Sequence, residues 1–158
     1  MSAPDHAILF VCLGNICRSP LAEAAFRQEA GSAGLDVMVD SAGTGNWHAG
    51  KPPDRRACDV ALRYGCDIGH YRARQVVADD FRRFTRIFAL DGANLADLRR
   101  IAPAHAPARL SLLLDLVPGR EGQSVADPYY GDEADFQETW REVTLAAQAL
   151  TGILRDRG

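Results

Sequence analysis

The sequence predicts an α/β fold, a single-domain, three-layer arrangement of a four-stranded parallel sheet with helices on both faces. Three observations point to it. Four short apolar runs alternate with stretches of helical spacing, and such alternation builds parallel sheets through helical crossovers. The first run, Ala7 to Val11, is apolar throughout and the others are mainly apolar, as expected of strands covered on both sides. The first run passes through a glycine-containing turn into Ser19-Pro20, so a helix starts directly behind a strand.

Taken in order, Ala7 to Val11 reads as the first strand. Behind it, Ser19 is available as a helix cap and Pro20 suits the first helical position, where its missing N–H costs nothing. Val37 to Asp40 is the second strand, followed by a helix from Asp54 to Arg63 that Gly65 ends. Arg86 to Leu90 is the third, followed by a helix from Asn94 to Ile101 that stops near Pro103. Arg109 to Leu116 is the fourth. The last helix runs from about Glu133 to Leu154, with Phe136, Trp140, Val143, Ala147, Leu150 and Leu154 on one face for burial. No internal repeat, low-complexity tract or linker divides the chain, so one domain is expected over residues 1–158. The long loops, Gly43 to Pro53 and Val117 to Asp132, are where function is expected to sit.

Composition narrows the partners. With 47% hydrophobic and 25% charged residues the chain has the make-up of an ordinary globular domain. A net charge of -3 gives no global attraction for nucleic acid or anionic lipid, so neither nucleic acid nor membrane is expected as a partner. The segment Met1 to His6 carries no basic region, and the apolar stretch behind it is too short for a signal peptide or a membrane span. A cytoplasmic location follows as an expectation. There, four cysteines without a CxxC pair read as free or redox-active thiols, and no metal or other cofactor is expected. The sequence assigns no oligomeric state.

In a parallel α/β sheet the ligand site lies beyond the carboxyl ends of the strands. The segment CLGNICRS, residues 12–19, occupies the first strand-to-helix turn there. Successive backbone N–H groups and the helix N-terminus make such a turn a phosphate-binding loop. Gly14 and Asn15 suit its tight or positive-φ positions. It is not a Walker loop, because the GxxxxGK[ST] spacing is absent. Instead it has Cys12 at its start and Arg18 six residues on. A guanidinium holds two phosphoryl oxygens bidentately. A thiol in the same positive field is favoured as thiolate, a nucleophile facing the bound phosphorus, and the Ser19 hydroxyl is placed to hydrogen-bond it. Phosphoryl transfer also needs an acid for the departing oxygen. Asp127, stiffened by Pro128 and followed by Tyr129 and Tyr130 as aromatic walls, is the candidate. Cys17, five residues from Cys12 on a curled loop, is placed to trap an oxidised Cys12 as a disulfide.

Five stretches together, VCLGNICRSPLAE (11–23), SAGTGNWHAGKPPDRRA (41–57), RARQ (72–75), LDGANLADL (90–98) and DPYYGD (127–132), resemble the low-molecular-weight protein tyrosine phosphatases. The resemblance runs in order from about residue 8 to 140. It implies a phosphocysteine intermediate, no metal, and a phosphotyrosine protein or aryl phosphate as substrate. It implies Cys12 as nucleophile, Arg18 as phosphate ligand and Asp127 as general acid and then base. Leu13, Gly14, Asn15, Ile16, Cys17, Arg18 and Ser19 would surround the phosphate, with Asn15 holding the loop's shape and Ser19 supporting the thiolate. Trp47, Tyr129 and Tyr130 would border the substrate crevice. Two positions depart from the family pattern. Tyr71 stands where a histidine often holds the loop asparagine, with His70 one residue early, and Leu90 stands where methionine is common. Arsenate reductases share this loop and would use Cys58 and Cys66 as a further thiol pair. A non-catalytic phosphotyrosine-binding module would keep the loop and Arg18 but has no use for Cys12 and Asp127 together.

Overall fold

The computed structural model describes residues 6–157. Most of the amino-terminal segment read above for a leader, residues 1–5, lies outside the described residues, as does residue 158. Four parallel strands, β1 (His6–Cys12), β2 (Val37–Gly43), β3 (Arg86–Ala89) and β4 (Arg109–Leu112), lie in the order β2-β1-β3-β4. The helices are α1 (Arg18–Ser32), α2 (Arg55–Arg63), α3 (Asp80–Arg83), α4 (Gly92–Ile101) and α5 (Glu133–Arg157). None is long and apolar enough to cross a membrane.

The side-chain period of two splits β1 between two cores. Ile8 and Phe10 join Leu21 and Phe26 of α1, Ala57 and Val60 of α2, and the predicted face of α5. Leu9 and Val11 turn to Phe81 of α3 and Leu95 and Leu98 of α4. The uninterrupted apolar run of β1 is therefore a strand covered on both faces. Phe10 packs edge-on against Phe26 at 5.9 Å and stacks with Phe88 at 6.0 Å between ring centroids. Truncating any of these three buried rings to alanine should cost about 3–5 kcal/mol. Leu90 is buried in the same core, as a volume-conserving replacement for methionine would be.

Three expectations are corrected, and one short helix is added. The fourth strand ends at Leu112, and Leu113–Leu116 winds into a 3₁₀ turn. Leu113 and Leu114 are adjacent yet bury in the same core, which strand alternation cannot achieve. The second strand runs on to Gly43, pairing Ser41, Ala42 and Gly43 with Phe10, Val11 and Cys12. The first helix starts at Arg18, so the cap position falls to Cys17, which makes no side-chain cap bond. Ser19 lies inside the first turn, and its hydroxyl is used at the site. Pro20 is tolerated there because first-turn N–H groups have no intrahelical acceptor. The short α3 carries no periodicity that a sequence reading could detect. It forms around the fully buried Asp80, whose carboxylate accepts from Val77 N at 2.8 Å and from both terminal nitrogens of Arg74 at 3.0 Å.

Candidate active site

Cys12 closes β1 at the centre of the sheet's carboxyl edge, and the chain curls through residues 13–17 before α1 begins. Neighbouring segments take the loop's outward carbonyls. Thr44 N donates to Cys12 O and Gly45 N to Leu13 O, both at 2.9 Å, and Asp54 N donates to Ile16 O at 2.8 Å. Gly43 is needed for this close approach, since a Cβ there would meet Leu13 O at 2.7 Å. Asn15 adopts φ 58°, a left-handed conformation that asparagine tolerates better than most residues. Among the described residues, the amides of Gly14, Ile16 and Cys17 have no protein acceptor. Unpaired amides on a strand-to-helix loop suit an anion.

A network of side chains fixes the curl. Asn15 Nδ2 donates to Ser19 Oγ at 2.8 Å and to Ser41 Oγ at 3.0 Å, while Asn15 Oδ1 accepts from Arg74 N at 3.0 Å. Ser41 in turn donates to the buried Glu23 at 2.7 Å. Ser19 Oγ lies 3.0 Å from Cys12 Sγ, and Asn15 N donates to the same sulfur at 3.3 Å. Because Asn15 already fills an acceptor site on Ser19, the hydroxyl hydrogen is available to the thiol, with Ala42 O as a longer alternative at 3.4 Å. Burial pushes the Glu23 carboxyl above its usual range, against its bonds with Ser41 and Arg27.

The histidine contact expected near position 71 is made differently. His70 is exposed and packs edge-on against Tyr71 at 4.9 Å, away from the loop asparagine. Ser41 and the backbone of Arg74 hold Asn15 instead. Tyr71 is half-buried, and burial, with Glu23 nearby, pushes its phenol up to about 12.

Arg18 is buried, with its side chain only 4% exposed. Its Nη1 donates to Asp91 Oδ2 at 2.7 Å and to Val125 O at 2.9 Å. Nη2 faces Asp127 Oδ2 across 3.6 Å. One edge of the fork is thus anchored and the other is turned to the crevice. Asp91 comes two residues after the end of β3 and caps α4 through Asn94 N at 2.7 Å. Its place at a strand's carboxyl end was a legible signal that the sequence reading passed over. Asp127 is 47% exposed, and its Oδ1 accepts from Tyr129 N at 3.1 Å.

Cys12, Leu13, Gly14, Ile16, Cys17, Arg18, Trp47, His48, Asp127, Tyr129 and Tyr130 line one crevice of about 240 Å³. Every residue expected at the site lines it except Asn15 and Ser19, which support it from behind. His48, set against Gly14, is a wall residue that no sequence signal marked. Trp47 and Tyr130 form an exposed rim. Burial first, and Asp54 next, hold the Cys17 thiol far above its usual range, with Arg56 opposing. Cys58 and Cys66 lie outside the crevice, and burial raises both. A wider groove of about 1040 Å³ along Tyr64 and α5 contains none of the expected residues.

Fold and crevice together define an α/β protein with a thiol, a guanidinium and a carboxylate gathered at the carboxyl edge of its parallel sheet. A family model for low molecular weight phosphotyrosine protein phosphatases matches residues 7–157. A Schizosaccharomyces pombe protein of that name is 42% identical over 144 residues, covering 89% of this chain and 92% of its own. A low molecular weight protein-tyrosine-phosphatase of Streptomyces coelicolor is 41% identical over 157 residues, covering 96% and 95%. The crystal structure of an Entamoeba histolytica protein tyrosine phosphatase superposes with a TM-score of 0.91 at 34% identity, covering 97% of this chain and 99% of that one. The chain belongs to the low molecular weight phosphotyrosine protein phosphatase family. Phosphoproteins or phosphate esters are therefore its substrate class.

Proposed function

We propose that this chain, acting as one phosphatase domain, hydrolyses phosphotyrosine and other aryl phosphates through a phosphocysteine on Cys12. The observation that carries this reading is the meeting of Cys12, Arg18 and Asp127 in a crevice walled by Trp47, Tyr129 and Tyr130. Cys12 Sγ attacks phosphorus while the loop amides and the free edge of Arg18 hold the equatorial oxygens. The P–O bond to the aryl group breaks, and the leaving oxygen takes a proton from Asp127. Asp127, now a carboxylate, then takes a proton from water as that water displaces sulfur, releasing inorganic phosphate and the Cys12 thiolate. The aromatic walls Trp47, Tyr129 and Tyr130 suit a flat aryl ring.

A free thiol nucleophile fits a cytoplasmic setting, and the net charge of -3 gives no reason to add nucleic acid or membrane as a partner. Arsenate reduction is less well supported. Cys58 and Cys66 lie outside the crevice that Cys12 lines, whereas Cys17 lines it. A binding-only module gives no reason for Asp127 to face Arg18 in the crevice that holds the Cys12 thiol.

The test is phosphate release from phenyl phosphate in the presence of a chelator. Cys12→Ser should abolish turnover while still binding vanadate, and a serine variant that keeps a large share of activity would exclude the phosphocysteine. Asp127→Asn should lower kcat/KM roughly 10²- to 10⁴-fold with phenyl phosphate, the usual worth of general acid catalysis. The loss should shrink with dinitrophenyl phosphate, whose leaving group departs without a proton. Equal losses on both substrates would sink the acid role.

A further inference from the structure

Asp127 sits on a turn that keeps itself in place poorly. Within residues 127–131, Tyr129 N donates to the Asp127 carboxylate at 3.1 Å and Gly131 N to Pro128 O at 2.8 Å. The carbonyls of Tyr129 and Gly131 are both taken by one side chain. Arg56 Nη2 donates to Tyr129 O at 2.9 Å, and Nη1 to Gly131 O at 3.1 Å. The other edge of the same fork grips Asp54, Nε to Oδ1 and Nη2 to Oδ2, each at 3.0 Å. The guanidinium also lies 4.6 Å from the centroid of the fully buried Phe136 ring, which fixes its plane.

Asp54 ties this brace to the nucleophile's loop. Its carboxylate caps α2 through Arg56 N at 2.9 Å, and its own N–H donates to Ile16 O at 2.8 Å. A continuous path thus runs from the loop around Cys12, through Asp54 and Arg56, to the carbonyl of Tyr129, the residue whose N–H holds the Asp127 carboxylate. We propose that Arg56, fixed by Asp54, is a positioning residue that sets Asp127 over the leaving-group oxygen relative to Cys12. The proposal rests on the reading of Asp127 as general acid. Arg56 touches no reacting atom. A lysine cannot replace it, because a single ammonium cannot hold a bidentate carboxylate and two carbonyls in one plane.

The experiment compares Arg56→Met, which keeps an apolar stem on Phe136, with wild type and with Asp127→Asn. Values of kcat/KM are measured for phenyl and 2,4-dinitrophenyl phosphate, alongside vanadate affinity. With phenyl phosphate, Arg56→Met should lose roughly 10- to 100-fold, the scale of a misplacement of about 1 Å. With the dinitrophenyl ester the loss should stay under about threefold, since no proton is needed. Vanadate affinity should hold, and adding Arg56→Met to Asp127→Asn should cost little more than Asp127→Asn alone.

Equal losses on both esters, or full additivity in the double variant, would overturn the proposal, because a merely structural role would damage the phosphate loop as well. If Arg56→Met fails to fold, Arg56→Lys is measured in its place, and the same leaving-group split decides. If Asp127→Asn shows no split, the acid reading itself fails. If Asp127→Asn shows it and Arg56→Met does not, only the brace fails.

Discussion

The loop that carries Cys12 and the loop that carries Asp127 meet in one crevice but are held in opposite ways. Around Cys12 the chain is buried, and Asn15 alone engages Ser19, Ser41, Arg74 and the Cys12 sulfur. Around Asp127 the chain is open. The carboxylate is 47% exposed, Tyr130 is 97% exposed, and the turn leans on Arg56. The difference matches the two tasks. Stabilising an oxyanion needs donors fixed before the reaction. A loop that admits a phosphorylated side chain has to leave the crevice mouth open. The nucleophile loop should therefore respond to substitution through binding and rate together, and the acid loop through rate on poor leaving groups.

Arg18 is the strongest test of the rigid half. Arg18→Lys keeps a charge but loses the fork, so it cannot hold Asp91 and Val125 O on one edge and two phosphoryl oxygens on the other. Turnover should fall by at least about 10²-fold, with phosphate affinity, on the scale of a lost oxyanion donor. A lysine variant of wild-type kcat/KM would show that the anchored fork is irrelevant and that the loop amides do the binding.

Asn15 ranks next, because substitution there separates backbone from side chain. Asn15→Ala loses the side-chain bonds and strains φ 58° by about 1–2 kcal/mol, whereas Asn15→Gly loses the bonds without the strain. Both should lower kcat/KM roughly tenfold or more, with each lost bond worth about 1 kcal/mol. Alanine should be the worse of the two and should also weaken vanadate binding. If glycine matches wild type, the network is not what holds the loop.

What the sequence made legible follows the same division. The nucleophile loop is local, since strand, turn, arginine and helix start lie within thirteen residues, and residues 7–19 could be read in one pass. Its supports were less legible. Ser41 and Arg74 reach it from two other segments, and nothing in a single sequence pairs them with Asn15, while Asp91 is marked by its place beyond a strand's carboxyl end but not as the partner of Arg18. Asp127 was found by chemistry and loop position, but Arg56, which donates to two carbonyls of its turn, lies on α2, and no sequence pattern pairs the two. Helix starts misled where function overrides capping. Ser19 looked like a cap, yet its hydroxyl is spent on Cys12 and Asn15. The fourth strand misled because three leucines in a row, Leu112 to Leu114, fit a strand and a buried 3₁₀ turn equally well.

The smallest catalytic effect is expected at Cys17, the second thiol of the rigid loop, where the comparison becomes one between two sulfurs. Both line the crevice and both are buried, but only Cys12 receives bonds from Ser19 and the Asn15 amide. Cys17 sits beside Asp54 and Asp127, and burial with those charges keeps it protonated at neutral pH. Cys17→Ser should leave kcat/KM within about threefold of wild type, since a small side chain without a hydrogen-bonding duty is replaced by one of similar size. Its role should emerge under peroxide. Peroxide oxidises Cys12 to a sulfenic acid, and attack by Cys17 sulfur forms the disulfide with loss of water. The attacker is the thiolate, so with its pKa raised the rate of disulfide formation should climb about tenfold per pH unit from pH 7 to 9. At pH 7 over-oxidation of Cys12 should compete, and at pH 9 thiol reductant should recover a larger share of activity. In Cys17→Ser the recoverable share should lose this rise with pH, as read by peptide mapping and reactivation after a timed peroxide pulse. A pH-independent trapping rate in the wild type would mean that Cys17 is not the attacking thiol, and a Cys12–Cys58 or Cys12–Cys66 bridge in the map would return the reductase reading to contention.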